Sequence, residues 1–209
     1  MHLYLWYNFF MKLKTLLSPK FGIVLTPIIF GLSQVVILGY YWFFGGYAGK
    51  LNLTISKYVG LELWSSVFFA ICNLLIVILM LRYYLVTWKK LSVIWLILSL
   101  IQTIGFIGLS ICPHNAFMSD GTRETINTIH ILMARMMFLA MFGMMLERLR
   151  LNGLKNSVSA KACLAFLGYS LIYIISYVSS WSILWDMVLI WESGYIYAFM
   201  GALILSRPR

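Results

Sequence analysis

The side chains best suited to chemistry gather between Ser110 and Arg135: two of the three histidines, His114 and His130, two of the six acids, Asp120 and Glu124, with Cys112 and Arg135. Cys112, His114, Asp120 and His130 together offer soft and hard donors to a metal ion, although their spacing follows no standard zinc pattern. A second constellation is electrostatic. Arg135 and Glu192 both lie within apolar runs, where an unpaired charge costs several kcal/mol, roughly, and so calls for a partner or a function. An arginine there is a natural anchor for an anionic group, and Glu192 and His130 could instead titrate as proton relays. Other chemistries fail on inventory. No lysine falls inside an apolar run, only one histidine does, and no GxSxG elbow, HExxH helix or P-loop occurs. Retinal-type Schiff bases and bis-histidine haem are thereby excluded. Asn52-Leu53-Thr54 is a glycosylation sequon.

The elements that must position these groups are read from composition. The chain is 62% hydrophobic and 11% charged, with a mean hydropathy of +0.91. A soluble domain carries about 25% charged residues. The apolar runs reach the roughly 20 residues that cross a bilayer core and do not alternate as barrel strands do. The expected fold is all-α, a polytopic bundle of six transmembrane helices. A net charge of +10 then reports topology rather than nucleic-acid binding, because Lys and Arg collect in cytoplasmic loops. Cys72, Cys112 and Cys163 form no CxxC pair and imply no disulfide framework.

Residues 1–20 form an N-terminal arm, aromatic at Tyr4, Trp6, Tyr7, Phe9 and Phe10 and basic at Lys12, Lys14 and Lys20, expected to lie at the interface. No cleavage site follows it, and Met11-Lys12-Leu13-Lys14 is a second candidate start. Residues 21–209 form a single domain whose spans are expected at Phe21 to Phe44, Glu62 to Leu85, Leu91 to Cys112, Thr125 to Met145, Ala160 to Val178 and Ile183 to Leu205. Counting Lys and Arg by connector places twelve of sixteen on one side: Lys12, Lys14, Lys20; Arg82, Lys89, Lys90; Arg148, Arg150, Lys155, Lys161; Arg207, Arg209. The other side has Lys50, Lys57 and Arg123, and Arg135 lies within a span. Both termini are therefore expected in the cytoplasm, and the protein in the plasma membrane.

On this topology five of the six acids fall on the outer half, and Glu62, Asp120 and Asp186, with His114, are expected to form an outer mouth. Helical rise puts Arg135 about 15 Å and Glu192 about 14 Å from the outer ends of their spans, which suggests a pair. Gln34, Asn73 and Gln102 supply neutral polar groups near that level. Glu62, Ser66, Phe69 and Asn73 share one helix face, and Ser99, Gln102, Phe106 and Ser110 another. The expected ligand-binding set is Arg135, Glu192, His130, Asn73, Gln102 and Gln34. Structural interhelical hydrogen bonding is the competing role for the three amides.

A span ending in Cys112-Pro113-His114, a short loop through Asp120-Gly121 and a helix carrying His130 resembles the six-helix membrane proteins of the DUF998 type, which are similar to the eukaryotic Frag and DRAM families. Ile55-Ser56 before the second span and Glu192 in the last helix fit the resemblance. It implies the same six-helix fold. The wider group has been compared with membrane hydrolases that hold a metal through several histidines, an Asp and a Ser. This chain departs from that set, since only His2 on the opposite side joins His114 and His130. The leading expectation is a pocket open to the non-cytoplasmic face that binds a small molecule or lipid headgroup. The alternatives are a proton- or ion-coupled transporter, a metal-dependent lipid-modifying enzyme, and a structural or assembly subunit packing against another membrane protein through Gly39, Gly45, Gly46 and Gly49. The residues name no cofactor.

Overall fold

A computed structural model describes residues 18–87, 91–112, 120–153, 157–179 and 186–206. The described elements are all helices: α1 (Pro19–Phe43), α2 (Ile55–Val59), α3 (Leu63–Thr87), α4 (Val93–Ile111), α5 (Asp120–Asn152), α6 (Ser157–Val178) and α7 (Val188–Leu205). Six of them, all but α2, are long and apolar enough to cross a membrane. The chain is a multi-pass helical membrane protein. The interfacial arm expected at the N-terminus lies, through residue 17, outside the described residues.

Local sequence explains where the helices begin and bend. Ser18 caps α1 and Pro19 opens it, where a missing N–H costs nothing. Pro27 sits inside α1 and cannot serve the Ile23 carbonyl one turn back. The Thr26 hydroxyl donates to that carbonyl at 2.8 Å instead, so the backbone stays satisfied in lipid. Ser92 caps α4, its Oγ accepting the Trp95 N–H at 3.1 Å. At the other end of the charged stretch, α5 runs to Asn152 and stops at Gly153, whose φ of 61° is the left-handed conformation a side chain resists.

α5 therefore runs well past Met145, where the sequence suggested an end. The residues beyond are charged yet helical because Arg150 grips Glu147 one turn back, at 2.6 Å and 2.7 Å, and because Arg148 is buried. The Arg148 guanidinium lies over the Trp95 ring at 5.5 Å and donates to the Ser206 carbonyl, tying α5 to α4 and to the end of α7. Arg148 and Arg150 thus belong to a helix rather than to a connector.

The spans follow one another around a ring. α1 packs on α3, α3 on α4, α4 on α5, α5 on α6 and α6 on α7, and α7 returns to α1 with a lighter contact. The α4–α5 seam is the tightest, since a Cβ on Gly105 would sit 2.8 Å from Met137 Cβ and 2.9 Å from the Met133 carbonyl. Phe30, Ile76, Tyr84, Trp95, Phe166 and Phe199 fill the interior. Leu32, Val35, Ile71, Ile97, Leu139 and Ile175 point outward, where acyl chains rather than water would meet them. Both polar stripes read from the sequence turn inward over most of their length: Ser66, Phe69 and Asn73 are buried on α3, and Ser99, Gln102 and Phe106 on α4.

Candidate functional site

The site is assembled under α2, a short helix between α1 and α3 that the span pattern did not anticipate. Thr54 caps it, accepting the Lys57 N–H at 3.2 Å. Four further bonds fix it over the end of the ring. The Tyr58 hydroxyl donates to the Lys50 carbonyl at 2.6 Å and accepts from Trp42 Nε1 at 3.1 Å. The Leu189 N–H donates to the Leu51 carbonyl at 3.1 Å. The fourth comes from the acid on α7: Glu192 Oε2 accepts the Ile55 N–H at 2.9 Å. Two buried hydroxyls, Ser65 and Ser66, both reach the Val59 carbonyl at 2.9 Å and close the far end of α2.

Two of the cavities beneath this roof share a wall. An inner chamber of about 60 Å³ occupies the middle of the ring and touches Phe30, Phe69, Asn73, Phe106 and Glu192 among others. A larger groove of about 430 Å³ runs beside it between α5, α6 and α7, below Thr54, Ser56 and Lys57. Ser56, His130, Ala134, Phe138 and Glu192 line both and form the wall between them. Ala134 is the smallest member of that wall. Along α5 the groove is lined from His130 to Phe142, a length of about 18 Å at helical rise. Ile131, Arg135 and Leu139 on α5 and Ile174 on α6 are exposed at its margin, so it opens sideways, toward the bilayer.

The sequence-derived residues separate into groups. Arg135, Glu192 and His130 share the groove, and Asn73 lines the inner chamber with its Oδ1 buried and without a hydrogen-bond partner. The direct Arg135–Glu192 pair is not formed; the ion pair among the described residues is Arg150–Glu147. The reason is register. α7 starts at Val188 rather than Ile183, so Glu192 is about one turn from the end of its helix and level with His130. Arg135 lies five residues beyond His130, about 7.5 Å further along α5. Glu192 spends one oxygen on α2, and Arg135 stands at the exposed margin.

Gln34 and Gln102 take up interhelical bonds away from the groove. Gln34 Nε2 donates to Ser193 Oγ at 3.0 Å, and Gln102 Oε1 accepts from the Tyr84 hydroxyl at 2.9 Å. Of the expected mouth, Glu62 is exposed and accepts from Trp64 Nε1 at 2.7 Å, and Asp186 is exposed. Neither lines a cavity described above. His114 and the side chain of Asp120 lie outside the described residues. His130 Nδ1 donates to the Cys112 carbonyl at 2.6 Å, so these two candidate ligands meet through a backbone oxygen. Among the described residues no group of three His, Cys, Asp or Glu side chains converges.

Sequence reasoning gave Lys57 and the Ile55 N–H no place in the site and named Ile55-Ser56 only as part of the family resemblance. The signal was a Thr54 cap two residues ahead of Ser56, a helix start within what read as a loop. Chemically, the groove pairs two cations, Lys57 and Arg135, with apolar walls from Phe138, Leu139, Phe142 and Ile174. No protein-family model matches the chain, and no curated protein or solved structure does so either.

Proposed function

We propose that this protein holds an amphiphile in the α5–α6–α7 groove, by a phosphate or other anionic headgroup at Lys57 and Arg135 and by an acyl chain along Phe138, Leu139 and Phe142. One observation carries the reading: a cavity that opens sideways into the bilayer and has cations above apolar walls. A groove about 18 Å long along α5, apolar beyond Arg135 at Phe138, Leu139 and Phe142, suits a chain rather than a compact solute, and cations at the headgroup end suit its charge. A plasma-membrane location with cytoplasmic termini belongs to the same reading, supported by twelve of sixteen basic residues on one side. The ligand then comes from the outer leaflet.

The test is native mass spectrometry of protein extracted in mild detergent, comparing wild type with Lys57→Gln/Arg135→Gln. A lipid mass on wild type, reduced at least about tenfold in the double variant, is the expected result. Equal retention by both proteins would sink the reading.

A further inference from the structure

The inner chamber carries a requirement of its own. Its buried amide oxygen, Asn73 Oδ1, has no donor facing it, and a buried acceptor left so costs about 1–3 kcal/mol. Across the chamber, Glu192 has committed Oε2 to the Ile55 N–H, and its second oxygen has no hydrogen bond to the protein among the described residues. Both open positions are acceptors, and one belongs to an acid. A group that satisfies them must bring N–H or O–H donors and is favoured by positive charge. A primary ammonium, with three donors and no acceptor, fits that description.

Volume narrows it further. About 60 Å³ is the share of liquid volume of two water molecules, roughly, enough for an ammonium and a carbon or two. A trimethylated ammonium has more carbon than that and no N–H to give. Ser56, His130, Ala134, Phe138 and Glu192 line both spaces, so a molecule held in the groove lies directly against the chamber, with Glu192 common to the two. Resting on the reading of the groove as a phosphate-and-acyl site, we infer that the ligand is an aminophospholipid with a primary amine, its ammonium seated between Glu192 and Asn73 and its phosphate between Lys57 and Arg135.

The experiment uses the full chain in nanodiscs of phosphatidylcholine doped in turn with phosphatidylethanolamine, phosphatidylglycerol or further phosphatidylcholine carrying a distinguishable acyl mass. Retained lipid is read by mass spectrometry after dilution into detergent. Wild type is expected to retain the ethanolamine lipid at least about tenfold over the choline lipid. Glu192→Gln, which keeps an acceptor for Ile55, and Asn73→Leu, which fills the chamber, are each expected to erase that ratio while phosphatidylglycerol stays bound. Water-soluble phosphoethanolamine, without acyl chains, is expected not to displace the lipid; displacement would overturn the lipid source of the amine. Equal retention of ethanolamine and choline lipids by wild type overturns the inference but leaves the groove reading standing if Lys57→Gln/Arg135→Gln still loses both. Retention that ignores the double variant defeats the groove reading itself.

Discussion

Asn73 is an acceptor kept in apolar surroundings without a donor, and such a group is a standing cost to the empty protein. Asn73→Leu, which removes that acceptor and adds apolar bulk toward the chamber, is therefore expected to stabilise the ligand-free protein by about 1 kcal/mol. The check is a rise in the midpoint of thermal unfolding in detergent; a fall would show the amide to be structurally needed. Glu192 behaves oppositely, since its oxygen is the one partner of a backbone donor. Glu192→Ala should expose the α1–α3 loop through an unsatisfied Ile55 N–H, at about 1–3 kcal/mol, seen as faster amide exchange over residues 50–60. Glu192→Gln should exchange almost as wild type. Arg135, His130 and Glu192 could be picked out of the sequence because an ionisable residue inside an apolar run stands out. The Ile55 N–H could not, because a backbone donor has no letter of its own, and Lys57 read as an ordinary loop residue until α2 gave it a place.

At the level of helices, two substitutions separate close backbone approach from flexible contact. Gly105 faces the Met133 carbonyl and Met137 Cβ, so Gly105→Ala must push α4 and α5 apart and is expected to cost about 1–3 kcal/mol. Gly108 faces only the side chain of Met133, its Cγ nearest and its Sδ at 2.7 Å, and Gly108→Ala should cost less because a methionine can change rotamer while a backbone carbonyl cannot move aside. Unfolding of both variants in the same detergent checks the order. In α1, Thr26→Val should cost about 1 kcal/mol in the wild type and close to nothing in a Pro27→Ala background, where the restored N–H serves the Ile23 carbonyl. A double-mutant cycle measures that coupling. The spans themselves were legible, because length and hydropathy are fixed by the bilayer. Helix ends were less so: α5 outran its apolar stretch through an internal ion pair, and α7 began later than its hydropathy suggested, which is what parted Glu192 from Arg135.

For the molecule as a whole, the testable quantity is orientation. With the native cysteines replaced, Asn52→Cys should react with an impermeant maleimide on intact cells and Lys161→Cys only after permeabilisation; the reverse pattern would invert the topology. Both positions are exposed and lie at opposite ends of the bundle. The ring order was beyond the sequence, since apolar spans carry no mark of their neighbours and small residues decide which pairs approach. That order also bears on how the protein is made. Helices enter the membrane in the order they are synthesised, and the bond between Ile55 and Glu192 joins positions 137 residues apart. Until α7 arrives, α2 has no anchor on that side and the groove lacks a wall. Ribosome-stalled chains ending before Val188 should therefore be unable to retain the proposed lipid however well their first five spans are inserted, and lipid capture would mark the moment at which α7 joins the bundle.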